Sequence, residues 1–209
     1  MTKVLVLGAS GQIARHAIPL LADQGETLTL FARDTSRIHA VPEGAAVIQG
    51  DVNDRVTLAQ AVRGQDVVYA NLAGDIDRQA QAVVETMQAE GVQRLIFVTA
   101  LGIYREVPGA FGRWNRDTIG EATLDTYAAA SDTVEASTLD YTVLRPAWLS
   151  DADEINYQTT RRDEPFRGTT VSRRSVAALV ADLVANPDTH IRENLGVNKP
   201  STDGDRPVW

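Results

Sequence analysis

The chain has no cysteine in its 209 residues, so disulfide staples and thiol-based catalysis are excluded from the outset. Lysine is nearly absent as well: Lys3 and Lys199 are the whole supply. Basic charge is in deficit, with 20 Lys and Arg against 28 Asp and Glu and a net charge of -8. That balance leaves no surplus to neutralise the phosphates of a nucleic acid or an anionic membrane, and neither is expected as a partner. The three histidines, His16, His39 and His190, fall in unrelated segments without metal-ligand spacing, so no metal site is expected. No apolar run approaches membrane-spanning length, and the first residues lack the pattern of a secretory signal, which makes the cytoplasm the expected address. Repeats and low-complexity tracts are missing too. Nothing reads as a linker between globular units, so residues 1–209 are expected to form one domain.

What is present is an alternation of strand and helix signals, which predicts an α/β fold. Val4 to Leu7, Leu28 to Phe31, Ala46 to Ile48, Val67 to Ala70, Leu95 to Val98 and Tyr141 to Leu144 are short apolar runs suited to a parallel sheet covered on both faces. Between them lie helical stripes: Ile13, Ala14, Ala17, Ile18 and Leu21, with Gly25 as the exit; Leu58, Ala59 and Val62 before Gly64; Ala80, Val83, Val84 and Met87 before Gly91. Residues 118–137 read as mostly helical. Residues 150–170 are polar and without period, either a substrate-side excursion or a surface segment. Thr169 to Val171 suggests a short strand, and Ser172 caps a helix with its apolar face at Val176, Leu179, Val180, Leu183 and Val184. Ile191 to Val197 suggests a last strand, and the tail ends in Pro207-Val208-Trp209, whose ring could dock.

The strand Val4 to Leu7 breaks at Gly8-Ala-Ser-Gly11-Gln-Ile-Ala14. Gly8 lets the backbone turn, Gly11 lets it approach a phosphate, and the free N–H groups of the following helix favour an anion. Such a turn between strand and helix points to a dinucleotide, with Gly8, Ser10, Gly11, Gln12 and Ile13 around its pyrophosphate. At the end of the second strand stands Ala32-Arg33 rather than a carboxylate. A neutral residue followed by a guanidinium suits the extra phosphate of NADP(H), with Arg37 near enough to assist. The alternative for Arg33 is a pair with Asp34 or solvent.

Together, Gly8-Ala-Ser-Gly11, Phe31-Ala-Arg33-Asp34, Gly50-Asp51-Val52, Asn71-Leu-Ala-Gly74, Phe97-Val-Thr99-Ala100-Leu-Gly102 and Tyr141-Thr-Val-Leu-Arg145-Pro146 resemble the atypical short-chain dehydrogenase/reductase proteins. Within that group the chain is most similar to the NmrA-like and biliverdin/flavin-reductase-like branch. The resemblance implies a Rossmann doubly wound sheet flanked by helices, with a small C-terminal substrate-side lobe. It also implies Asp51 and Val52 beside the adenine, Asn71 and Ala73 on the ribose side, and Thr99 and Pro146 toward the nicotinamide. Asp51 could equally be a turn aspartate, and Pro146 could simply end a strand.

The usual short-chain reductase relays a proton through Tyr-x-x-x-Lys. Here Tyr127 is followed four residues later by Ser131, and Tyr141 by Arg145 on a strand. Neither lysine lies near an active-site helix, so the dyad is missing. Three outcomes fit. Hydride could pass to a flavin, quinone or carbonyl compound with solvent supplying protons; Tyr104 could serve as the donor with Thr99 orienting; or the protein could bind NADP(H) without turnover and signal to a protein partner. Trp114 and Trp148 are either core or walls for a planar substrate. Arg173 and Arg174 are read as solvating a helix start. With no long amphipathic seam, a monomer is the expected state.

Overall fold

The computed structural model describes residues 1–209. An eight-stranded sheet forms the centre, built from β1 (Lys3–Leu7), β2 (Thr27–Ala32), β3 (Ala46–Gln49), β4 (Val67–Ala70), β5 (Arg94–Val98), β6 (Asp140–Pro146), β8 (Gln158–Thr160) and β10 (Glu193–Asn198). Its order is β3-β2-β1-β4-β5-β6-β10-β8. Every neighbouring pair is parallel except β10 with β8 at the edge. A separate parallel pair joins β7 (Trp148–Ser150) to β9 (Thr170–Ser172).

Strand periodicity explains why both faces are covered. On β1, Val4 and Val6 point into one apolar layer and Leu5 and Leu7 into the other, all four fully buried. The first layer is closed by α1 (Ala14–Asp23) and α6 (Arg173–Ala185), and the second by α2 (Arg55–Val62), α3 (Ile76–Glu90) and α5 (Glu121–Glu135). Each fully buried Leu, Val or Phe contributes about 1.5–3 kcal/mol relative to exposure, so the two layers carry the fold. The architecture is the Rossmann-like doubly wound sheet expected.

Local chemistry sets the ends of these elements. Asp54 caps α2 by accepting from the N–H of Val56 at 3.1 Å, and Ser172 caps α6 by accepting from that of Ser175 at 2.9 Å. The helical stretch expected over residues 118–137 is in fact two helices, because Gly120 (φ 89°) separates α4 (Gly109–Ile119) from α5. Helix α4 escapes the periodicity reading: Gly109 and Gly112 both lie in it, and glycine lowers helix propensity.

The polar run 150–170 is more ordered than its composition suggests. It contains β8 and the end of β7, and four of its eight charged residues pair with other parts of the chain: Asp151 with Arg173, Asp153 with Arg174, Glu154 with Lys199 and Arg162 with Glu135. The tail docks through its backbone instead of its ring. Val208 donates to Thr169 Oγ1 and accepts from Thr170 Oγ1, while Trp209 stays 74% exposed. No helix is long and apolar enough to cross a membrane.

Candidate functional site

Strand order reverses between β1 and β4, and at such a switch point the carboxyl ends of the strands leave a crevice. Gly8 opens it with a left-handed φ of 78°. A Cβ there would stand 2.1 Å from the carbonyl oxygen of Asn71, and one on Gly11 would stand 2.4 Å from Asn71 Nδ2. The two glycines therefore let the β1 turn lie directly against the end of β4.

The backbone donors of this turn can be accounted for one by one. Gly8 and Ala9 donate to Phe31, and Gly11 donates back to Gly8 at 2.9 Å. The N–H groups of Ser10, Gln12, Ile13 and Ala14 find no backbone acceptor, and α1 has no side-chain cap. Unpaired donors at a helix start bearing partial positive charge form an anion cradle. Of Ile13 only the N–H is available to an anion, since its side chain is buried in the core.

A cleft of about 340 Å³ runs from this cradle over the ends of β2, β3 and β4. It is lined by Gly8, Ser10, Gly11, Gln12, Arg33, Arg37, Asp51, Val52, Asn71 and Ala73, ten residues singled out from the sequence, here brought together. Arg33 is not paired with Asp34. That carboxylate instead accepts from Ser36, from N at 3.1 Å and from Oγ at 2.6 Å, and these bonds hold it below the usual carboxylate range. Asp51 closes a turn by accepting from the N–H of Asn53 at 2.8 Å and still faces the cleft. Phe31, Ala32, Asp34, Gly50, Leu72 and Gln79 complete the lining. Gln79 was hidden from sequence reasoning because it sits on α3, where it donates to Ala73 O at 3.2 Å.

Beyond the ends of β5 and β6 lies a second, mostly apolar cavity of about 450 Å³. Thr99 and Pro146 line it, with Leu101, Ile119, Trp148, Leu149, Arg173 and Trp209 among their neighbours. Thr99 is tied down, its Oγ1 donating to Leu144 O at 3.1 Å, which leaves the oxygen lone pairs as acceptors. Trp148 is half-buried; its Nε1 donates to Asn115 Oδ1 at 2.8 Å and its ring lies 4.8 Å from that of Trp114. Arg173 and Trp209 join the cavity only through tertiary folding, and no local signal announces them.

Tyr104 lines neither space. Its hydroxyl donates to Glu135 at 2.8 Å and lies 3.3 Å from Asp132, with the Arg162 guanidinium 4.0 Å from the ring centre. Burial, with Glu135 adding to it, pushes this phenol well above its ordinary value. Tyr127 and Tyr141 pack against the α3 and α5 layer, and burial raises both. Lys199 Nζ is held by Glu154 at 2.8 Å. No tyrosine or lysine side chain faces the cavity over β5 and β6.

Comparison with known proteins agrees with this geometry. The family model described as NAD(P)H-binding matches residues 8–187. A Rossmann-fold NAD(P)-binding family protein from Shigella flexneri is 50% identical and superposes with a TM-score of 0.86, over 100% of this chain and 99% of that one. A wide-type short-chain dehydrogenase/reductase from Veillonella parvula, solved in complex with NADP, is 27% identical with a TM-score of 0.94 over 100% and 99% of the two chains. A (4-alkanoyl-5-oxo-2,5-dihydrofuran-3-yl)methyl phosphate reductase from Streptomyces griseus is 30% identical over 100 residues, 48% of this chain and only 35% of that reductase.

Proposed function

This chain belongs to the NAD(P)H-binding family, and from that premise we propose that it is an NADPH-dependent oxidoreductase of the atypical short-chain type. Its acceptor would be a flat, largely apolar molecule such as a flavin, quinone or related carbonyl compound. The observation that carries this reading is a continuous edge with an anion cradle at Gly8–Ala14, Arg33 and Arg37 on either side of Asp34 at one end and an apolar cavity at the other.

Residue by residue, the fit is specific. Ser10, Gln12 and Ile13 hold the pyrophosphate through N–H groups that the chain leaves unpaired. Arg33, with Arg37, meets the 2′-phosphate, helped by the absence of a carboxylate at Ala32. Asp51 and Val52 flank the adenine, and Asn71 and Ala73 border the ribose. Thr99 and Pro146 lie toward the nicotinamide, where Thr99 Oγ1 can accept but has already spent its proton on Leu144.

Bound NADPH supplies a hydride. The residues over β5 and β6 orient the acceptor by offering a mostly apolar wall that stays open to solvent on one side. With no phenol or ammonium facing the cavity, an acceptor whose reduced form draws protons from solvent suits it better than an unactivated ketone. The Tyr104 hydroxyl, held by Glu135 and Asp132, donates no proton to the acceptor.

The test is direct. Calorimetric titration with NADPH and NADH should show preference for NADPH, and nicotinamide absorbance should decay with a panel of flavins and quinones. Tight binding of both redox forms without turnover on any acceptor, together with a partner retained in a pull-down, would replace the enzyme reading with that of a redox sensor.

A further inference from the structure

We propose that Arg173 makes the acceptor cavity selective for ligands that carry an anionic group, a carboxylate beside a flat apolar body. This deepens the acceptor reading of that cavity and rests on it. A surface arginine at a helix start would solvate itself, yet the Arg173 side chain is only 16% exposed. Its Nη1 donates to Leu149 O at 3.2 Å and to Asp151 Oδ1 at 3.1 Å, which fixes the plane of the guanidinium. Nη2 donates to no group of the chain, and Nε is buried with no partner.

The unpaired pair, Nε and Nη2, is the side-on edge of a guanidinium, the edge whose two parallel N–H groups match a carboxylate. A buried donor without an acceptor is costly, and of the three guanidinium groups in that state, on Arg94, Arg145 and Arg173, only that of Arg173 stands beside the apolar cavity, where a ligand can supply the acceptor. Arg173 lines the apolar cavity along with Trp148, Leu149 and Trp209, and no other charged side chain does. It is absent from the lining of the cleft at Gly8 to Gln12. The only acidic group on it, Asp151, is 69% exposed and shared with Arg15 at 3.8 Å, so it neutralises Arg173 weakly.

Two same-ring probes test this: anthraquinone-2-carboxylate and 2-(hydroxymethyl)anthraquinone, titrated calorimetrically into the NADP⁺-loaded protein. The native protein should bind the carboxylate at least about tenfold more tightly than the alcohol, the difference expected from one charge-assisted hydrogen-bonded pair. Arg173→Gln should erase that ratio, Arg173→Lys should restore part of it, and affinity for NADP⁺ alone should stay within about twofold. Three results would overturn the proposal: no preference in the native protein, an equal loss for both probes in Arg173→Gln, or a loss confined to NADP⁺, which would assign the edge to the cofactor. Reduction of the probes by NADPH is read separately. Carboxylate preference without any turnover would uphold Arg173 and remove the hydride-transfer reading.

Discussion

Glu106→Ala should be among the most damaging single substitutions in this protein, because it strands a charge. Arg145 is fully buried on β6 and Glu106 is 6% exposed; Nη1 of the one donates to Oε1 of the other. The only other partner of the guanidinium is Asn194 Oδ1, 2.6 Å from Nε, and Nη2 already lacks one. Losing one member of a buried pair costs about 3–5 kcal/mol, mostly for the charge left behind. Glu106 also accepts from the N–H groups of Gly102 and Tyr104, each at 3.0 Å, and these would be orphaned too. For a chain of this size about 1 kcal/mol moves the melting temperature by roughly 2–4 °C, so the midpoint should fall by roughly 6–20 °C. Removing both charges in Glu106→Ala/Arg145→Met should recover at least half of the loss, since no isolated ion remains. Thermal melts followed by circular dichroism would measure all three proteins. The reasoning fails if the single variant melts within about 2 °C of the native protein, or if the double variant is no more stable than the single.

Arg33→Ala should cut NADPH affinity about 10- to 150-fold, the span for lost hydrogen bonds to a charged group, while leaving NADH binding little changed. Calorimetry giving an unaltered NADPH to NADH ratio would show that Arg33 does not read the phosphate. Gly25→Ala meets open space and should cost only about 1–2 kcal/mol for its left-handed backbone, whereas Gly8→Ala adds a collision with Asn71 O and should lose cofactor binding as well. Equal urea midpoints for the two would contradict the close approach. His16 is held below its ordinary 6.5 first by burial and then by Arg15. Because the unfolded chain then binds the proton more readily, its share of stability is present above pH 6.5 and lost as pH falls through the lowered value. Imidazole NMR titration should give a midpoint under 6.5 that rises in Arg15→Gln; a midpoint at or above 6.5 would refute this.

The cofactor side was readable from the sequence because its parts are local. A strand, a glycine turn and a helix start follow one another within residues 3–23, and all of the cleft lining but Gln79 on α3 comes from the end of a predicted strand or the segment after it. The acceptor side is assembled differently. Thr99 and Pro146 end strands and could be found, but Ile119 arrives from α4, Arg173 from the start of α6 and Trp209 from a tail pinned by Val208 to β9 and the residue before it. Tyr104 shows the limit most clearly. Six residues past β5, it has the right position along the chain for a group above the sheet edge. Its direction, however, is set from afar. Glu106 is drawn to Arg145, 39 positions on, and Glu135, 31 positions on, takes the hydroxyl, so the loop swings its phenol to α5 instead of the cavity.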